Sequence, residues 1–370
     1  MFAWLRRARD PGGSRAESEN EAGRLSELAS EAWRAGVLPE AERLSRDALA
    51  RAPEVPALHY LLGAILFDRG DHSSALPALE ACLERVPDEP LAQHARVRAA
   101  LCRMRAAPGH EPPLERMRGE APEISVIICS ITPEKFERVS RNYSELLSGL
   151  RHEIIGIHDA ISLSEGYNRG VRKSRGDLLV FSHDDIEIFA PDFAAKLVNR
   201  MHDFDVLGLA GTDRVCGGAW VDAGWPHVYG QVGMRAPDGF IAGTYVVREQ
   251  VSAPMQGLDG VFFACRRAVL EAVPFDETTF DAWHLYDLDL TYSAARAGFR
   301  LAVGNDLLIV HDSGGNFGEQ WRRYARTFMT KHGIPVPQDY HLRSVQYCPA
   351  PMRSVGEWRS FTSYITGSVR

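Results

Sequence analysis

Long apolar runs are missing from this chain. Nowhere do eighteen uncharged apolar residues follow one another, about the length a membrane-spanning helix needs. The opening MFAWLRRARDPGGSR is positively charged but holds no apolar run of signal-peptide length. A cytoplasmic protein is therefore expected, with residues 2–9 either frayed or forming one amphipathic turn against a membrane surface. Paired cysteines are missing too. Cys82, Cys102, Cys129, Cys216, Cys265 and Cys348 include no Cys-x-x-Cys, so neither a zinc site nor a disulfide framework is indicated, and a reducing compartment fits. Nor is there a basic excess. The 42 Lys and Arg face 49 Asp and Glu, a formal net charge of -7, which argues against nucleic acid as a partner. Lysine is scarce, present only as Lys135, Lys173, Lys196 and Lys331.

What is there is ordinary soluble globular material, 45% hydrophobic and 25% charged over 370 residues, enough for two domains. Residues 1–21 read as a flexible N-terminus and 22–107 as a helical repeat domain rich in Ala, Leu, Glu and Arg. The repeat has a period of 34 residues: Ala29 matches Gly63, Trp33 Phe67, Gly36 Gly70, Ala41 Ala75, Leu49 Leu83 and Pro53 Pro87. Small residues face each other between helices, glycine lies in the turn, and proline ends the second helix. This pattern resembles tetratricopeptide repeats. Two such repeats bury little, so Leu91–Met104 is expected to add a third layer or a cap. The repeats could stabilise the protein, pair it into a homo-oligomer or recognise an acceptor protein. Residues 108–122, rich in Pro, Gly and charge, read as a linker, 123–337 as a second domain, and 338–370 as a C-terminal tail without a motif.

In the second domain the periodicity changes. Ile124–Cys129 (ISVIIC) is a β-branched apolar run, as in a strand buried on both faces of a parallel sheet. A helix over 134–149, a strand over His152–His158, a helix over 164–174 and a strand over Leu178–Ser182 (LLVFS) follow. This alternation predicts an α/β domain with ligand crevices at the carboxyl ends of its strands.

At one such end stands His183-Asp184-Asp185. Two adjacent acids and an imidazole at the tip of an apolar strand are costly unless a cation or hydrogen bonds compensate them. Carboxylates suit Mg2+ or Mn2+, and imidazole tolerates Mn2+ better. A helix N-cap is the simpler explanation of the three alone. Their company strengthens the metal reading: Tyr167-Asn168-Arg169-Gly170 before the third strand, Asp259-Gly260 opening VFFAC, His284-Leu285-Tyr286-Asp287-Leu288-Asp289, and Leu307–Asp312 (LLIVHD) with His311 near its end.

The ordered set, strand, Y-N-x-G, strand, H-x-D, D-G strand, H-x-Y-D-x-D and final strand with His, resembles family 2-like glycosyltransferases, in a bacterial subgroup with an H-x-D metal motif, over about residues 122–335. The resemblance implies a GT-A fold, Rossmann-like with a mostly parallel sheet. It implies a nucleotide-sugar donor, taken as a UDP-sugar, a Mn2+ or Mg2+ cofactor, and inverting transfer to a hydroxyl of an acceptor protein or glycan. Carried onto this chain, it puts Ser130, Asp159, Asn168 and Gly170 around the nucleotide, with His183 and Asp184 on the nucleotide-sugar side. Asp185 becomes the first choice as metal ligand, joined by His183 and His311, and Ser313-Gly314-Gly315 could bring amides to phosphate. Asp259 and Gly260 fall on the acceptor side, where Trp220 and Trp225 are candidates for sugar stacking or for a small hydrophobic cluster. His284 is an acceptor or phosphate contact, or a structural histidine. Asp287 takes the place of the general base and Asp289 that of its partner. The two acids point the same way on a strand and diverge by about 200° on a helix.

Two positions depart from the family pattern, since His183 and Tyr286 stand where acids are usual. They motivate the alternative of a repeat-based scaffold with an inactive transferase domain. A nucleotidyltransferase is the other alternative, but Ser130-Ile131-Thr132-Pro133-Glu134 lacks the Gly-rich basic loop expected after its first strand, and the same segment argues against a sulfotransferase. The basic helix Gln320–Lys331 either approaches the diphosphate or presents a solvated face.

Overall fold

The computed structural model describes residues 13–86, 90–342 and 347–368. The chain divides into two compact units at His110/Glu111. In the first, five helices follow one another: α1 (Gly13–Arg34), α2 (Leu38–Arg51), α3 (Pro56–Asp68), α4 (His72–Arg85) and α5 (Pro90–Ala106). Residues 13–21, read from sequence as flexible, belong to α1, while the amphipathic turn considered for residues 2–9 and the helix-ending Pro87 lie outside the described residues. The 34-residue spacing has a physical counterpart. Gly36 and Gly70 close the α1–α2 and α3–α4 turns with φ of 75° and 82°, a conformation that costs other residues a Cβ clash. A Cβ at Gly63 would stand 2.7 Å from Leu79 Cγ, so the small residue sets how closely α3 and α4 pack. Helix α5 adds Ala95, Ala99 and Cys102 to the apolar cluster around Leu79, supplying a further layer.

The second unit runs β1 (Ile124–Cys129), α6 (Pro133–Leu146), β2 (His152–Ile157), α7 (Leu163–Lys173), β3 (Leu178–Ser182), β4 (Ile186–Ile188), α8 (Phe193–Asp203), β5 (Val206–Gly208), β6 (Ala210–Thr212), β7 (Val228–Ala236) and β8 (Gly239–Thr244). It continues through β9 (Val251–Met255), β10 (Gly257–Leu258), β11 (Phe262–Arg266), α9 (Arg267–Ala272), α10 (Tyr286–Arg296), β12 (Leu301–Gly304), β13 (Ile309–His311), α11 (Glu319–His332), β14 (Cys348–Met352) and α12 (Val355–Ile365). The main sheet has the order β2-β1-β3-β11-β5-β12-β9. Its first three strands are parallel, with β1 and β3 buried as their apolar sequences require and β2 half-buried at the edge, whereas β11 runs antiparallel between β3 and β5. The fold class is thus the expected one, a helical block followed by an α/β domain, with a sheet that is mixed.

Two pairings assemble the site. Phe262 of β11 pairs with Ser182 of β3, and the His183 amide donates to Val261 O at 3.1 Å, which brings Asp259-Gly260 beside His183. In the second sheet His311 of β13 pairs with Ile186 of β4, and the Asp312 amide donates to Asp185 O at 3.0 Å. Within residues 108–122, read as a linker, the part after His110 is fastened along α8: the Glu115 amide donates to Asp192 Oδ2 at 2.8 Å and the Arg118 amide to Asn199 Oδ1 at 2.7 Å. The tail also belongs to this unit, because β14 pairs with β8 and Trp358 of α12 is fully buried, donating from Nε1 to Gln231 Oε1. Among the described residues no helix is long and apolar enough to cross a membrane.

Candidate functional site

His183, Asp185 and His311 each offer a ligand atom, and these atoms all lie within 4.8 Å of one another. His311 Nε2 is 3.3 Å from Asp185 Oδ1, and His183 Nδ1 is 3.4 Å from His311 Nε2 and 3.9 Å from Asp185 Oδ1. The hydrogen bond from His311 holds the Asp185 carboxyl well below the usual range, against the opposing effect of its burial. Burial, and then the neighbouring His311, push the His183 imidazole below its ordinary value and so toward its neutral form. One carboxylate and two imidazoles form a donor set that fits a divalent cation taking nitrogen as well as oxygen. Asp184 points elsewhere. Its carboxylate accepts from Ser130 Oγ at 2.7 Å and thereby ties the ends of β1 and β3. Lys135 Nζ, absent from the sequence reading of the site, lies 3.7 Å from both Asp184 Oδ1 and Asp185 Oδ2. Its position in the first turn after β1, in a chain with so few lysines, was the available signal.

A cavity of about 430 Å3 opens at this cluster, and His183, His311, Asp259, Gly260, Tyr286 and Asp287 are all among its lining residues. Asp287 enters at the first turn of α10, directly after Leu285, whose φ of 65° is a strained value for a residue with a Cβ. The chain can approach this closely because residue 260 is glycine: a Cβ there would stand 2.8 Å from Asp287 Oδ2 and 2.4 Å from Tyr286 Oη. Burial, with the Asp259 charge adding to it, raises the Asp287 carboxyl from 3.8 to about 7. Asp259 is held in place by Trp220 Nε1, which donates to Oδ2 at 2.8 Å, and by the Val261 amide, which donates to Oδ1 at 3.0 Å. A carboxyl poised near neutrality at the wall of a cavity is suited to exchange a proton with a hydroxyl.

The remaining expected residues divide. Trp220 and His284 line the cavity, as do Ser313, Gly314 and Gly315, whereas Trp225 lies outside its lining. Asp289 does not share the cavity with Asp287. Because α10 begins at Tyr286, the two acids sit on a helix, and Asp289 turns away to accept from Lys331 Nζ at 2.8 Å and to meet His332 Nε2 at 2.7 Å, locking α10 to α11. Lys331 of the basic helix is thereby used in packing. Asn168 donates to Phe275 O and Glu277 Oε2, and a Cβ at Gly170 would stand 2.2 Å from Ile127 Cγ2, so both act in packing α7 onto its neighbours. Asp159 is exposed and paired with Arg169 at 2.9 Å. Sequence reading passed over Trp283, Phe317, Trp321, Tyr245 and Tyr347, which give the cavity its apolar wall. They come from four separate segments, and only the fold reveals them as one surface.

A family model described as a glycosyltransferase like family matches residues 125–332. No curated protein matches the chain by sequence. Among solved structures, the chain is similar to the mannosyltransferase PcManGT from Pyrobaculum calidifontis in complex with GDP-Man and Mn2+, at 13% identity over 80% of this chain and 81% of that one, with a TM-score of 0.39. It is also similar to GalNAc-T7 with UDP, GalNAc and Mn2+, at 14% identity over 58% of this chain and 51% of that one and a TM-score of 0.32. A mycobacterial protein is similar at 18% identity over 58% and 76% of the two chains, with a TM-score of 0.37. The family match spans more than half of the chain and takes in the His-Asp-His cluster and Asp287 alike, so the protein belongs to this glycosyltransferase-like family.

Proposed function

We propose that the protein transfers a sugar from a nucleoside-diphosphate sugar to an acceptor hydroxyl, with inversion at the anomeric carbon. The observation that carries this reading is that Asp287, raised to about 7, lines the same cavity as His183 and His311. His183, Asp185 and His311 would hold a divalent cation, and their two imidazoles favour Mn2+ over Mg2+. When bound, the cation supplies positive charge opposite the leaving diphosphate. Asp287 takes the proton of the acceptor hydroxyl, the acceptor oxygen bonds to the anomeric carbon, and the carbon–phosphate oxygen bond breaks with its electron pair leaving on the nucleoside diphosphate. Asp259 and Trp220 position the acceptor beside this base, and the aromatic wall excludes water that would compete with it. Lys135 contributes a second positive charge on the donor side.

Incubation with UDP-, GDP- and other nucleotide sugars, with Mn2+ or Mg2+, tests the reading through release of the nucleoside diphosphate. The expected result is metal-dependent release from at least one donor, first sought with UDP-sugars, and its near loss in Asp287→Asn. Equal release by wild type and variant would remove Asp287 from the role of base. An absence of metal-dependent nucleotide binding would favour the scaffold reading. We further propose that the N-terminal helices are tetratricopeptide-like repeats serving the acceptor, which predicts that their removal raises KM for acceptor more than for donor.

A further inference from the structure

Tyr286 stands where the family resemblance places an acid, and its surroundings give the hydroxyl a defined task. The side chain is buried at 4% exposure. Its hydroxyl donates to Gly260 O at 3.1 Å, and a main-chain carbonyl can only accept. The same hydroxyl oxygen lies 3.1 Å from His183 Nε2. A phenol has one proton to give, so with that proton on Gly260 O the hydroxyl is an acceptor toward the imidazole, and His183 Nε2 carries the hydrogen. The lone pair then resides on Nδ1, the atom that faces His311 and Asp185. The opposite tautomer would draw the Tyr286 proton away from the buried Gly260 carbonyl and direct an N–H into the donor cluster. Tyr167, packed against the Tyr286 ring, directs its own hydroxyl to Ser182 O.

We propose that Tyr286 is a positioning residue for the cation site: by accepting from His183 Nε2–H it fixes the imidazole tautomer that presents Nδ1 as a ligand. This rests on the assignment of His183, Asp185 and His311 as the cation site. The tyrosine thereby connects that site to α10, since Asp287 is the next residue. Carboxylates and carbonyls commonly orient ligating histidines in this way, and losing such a partner typically costs about 10- to 100-fold in metal affinity.

Nitrogen-15 correlation spectra of the histidine rings in the metal-free full chain read the tautomer directly, with the His183 signal assigned by its disappearance in His183→Gln. The expected result is a protonated Nε2 and a bare Nδ1 in wild type. In Tyr286→Phe, shown to be folded by circular dichroism, a mixture of tautomers is expected, with Mn2+ binding followed by electron paramagnetic resonance weakened about 10- to 100-fold. A His183 protonated on Nδ1 in wild type, or a Tyr286→Phe protein that binds Mn2+ as tightly as wild type, overturns the proposal. The wild-type spectrum decides the matter even where the variant does not fold. A wild type with the Nε2–H tautomer that takes up no Mn2+ instead overturns the cation-site reading on which the proposal rests.

Discussion

Behind α8, Asp192 and Asp306 are buried at 9% and 4% exposure, and cations meet both. Arg200 donates to the two oxygens of Asp306 at 2.9 and 2.8 Å, and Lys196 Nζ lies 2.9 Å from Asp192 and 3.5 Å from Asp306. In the cavity, by contrast, the charge that acts on buried Asp287 is a second carboxylate, Asp259, and the Asp287 carboxyl rises to about 7. The residue type is the same in the two places, with Asp259 and Asp287 the less fully buried by residue, and the charged neighbours differ in sign. Paired acids fasten α8 to the 304–307 loop and to the segment before β1. Acids that face each other keep one proton mobile near neutral pH, which costs stability and is a mark of reactive sites.

Exchanging one oxygen for an amide in each region separates the two roles. Asp287→Asn leaves the shape of the cavity unchanged and is expected to lower the transfer rate by about 10²- to 10⁴-fold, the usual contribution of a general base, while thermal unfolding stays near that of wild type or improves. Asp306→Asn should do the opposite. It leaves Arg200 with Glu115 alone and Lys196 with Asp192 alone, and denaturant titration is expected to show a loss of up to about 3–5 kcal/mol, with the turnover of the folded fraction little changed. An Asp306→Asn protein as stable as wild type would mean that the network behind α8 does no more than a neutral hydrogen bond.

Only the cavity side of this contrast was legible in the sequence, and unevenly. The apolar strands β1 and β3 were readable to the residue because both faces are buried, and the acids and histidines after them could be expected at the strand ends. His183, Asp185 and His311 come together as that expectation required. Asp287 and Asp289 show where it stayed open. Their two-residue spacing reads differently on a strand and on a helix, and the helix start at Tyr286 sends Asp289 to Lys331 and His332. Asn168 and Gly170 belonged to a motif, yet their contacts are packing contacts, with Phe275, Glu277 and Ile127. The linker and tail were illegible for another reason: the hydrogen bonds of Glu115 and the burial of Trp358 depend on partners far away in sequence.

Gly260 offers a sharper probe of the cavity side, because it lets the first turn of α10 approach β11 and carries no charge of its own. A Cβ there meets Tyr286 Oη at 2.4 Å and Asp287 Oδ2 at 2.8 Å, so Gly260→Ala must displace α10 or the β10–β11 turn. The expected cost is about 1–3 kcal/mol in unfolding free energy, as for other overpacked sites. Turnover should fall, since Asp287 moves, and Mn2+ affinity should weaken with it, since the same Cβ displaces the Tyr286 hydroxyl beside His183. Unchanged turnover would show that the position of Asp287 relative to β11 has little bearing on the reaction.

The smallest expected effect is a displacement of the pH profile, and its sign follows from the same pair. Asp287 acts as a base only when ionised, so kcat/KM should rise with pH through about 7 and fall off below it. Burial is the larger cause of the raised value and the Asp259 charge the smaller one. Asp259→Asn removes only the second, and should move the midpoint of the profile toward lower pH without returning it to 3.8, even though acceptor binding weakens. Stability must respond in the matching direction. The folded state binds this proton more tightly than the unfolded chain, so the group's contribution is fully present below 3.8 and is lost as pH rises through about 7. Removing the Asp259 charge should flatten that decline, which unfolding titrations across the interval can follow. A midpoint unmoved in Asp259→Asn would leave burial as the whole cause of the shift, and Asp259 as a contact for the acceptor alone.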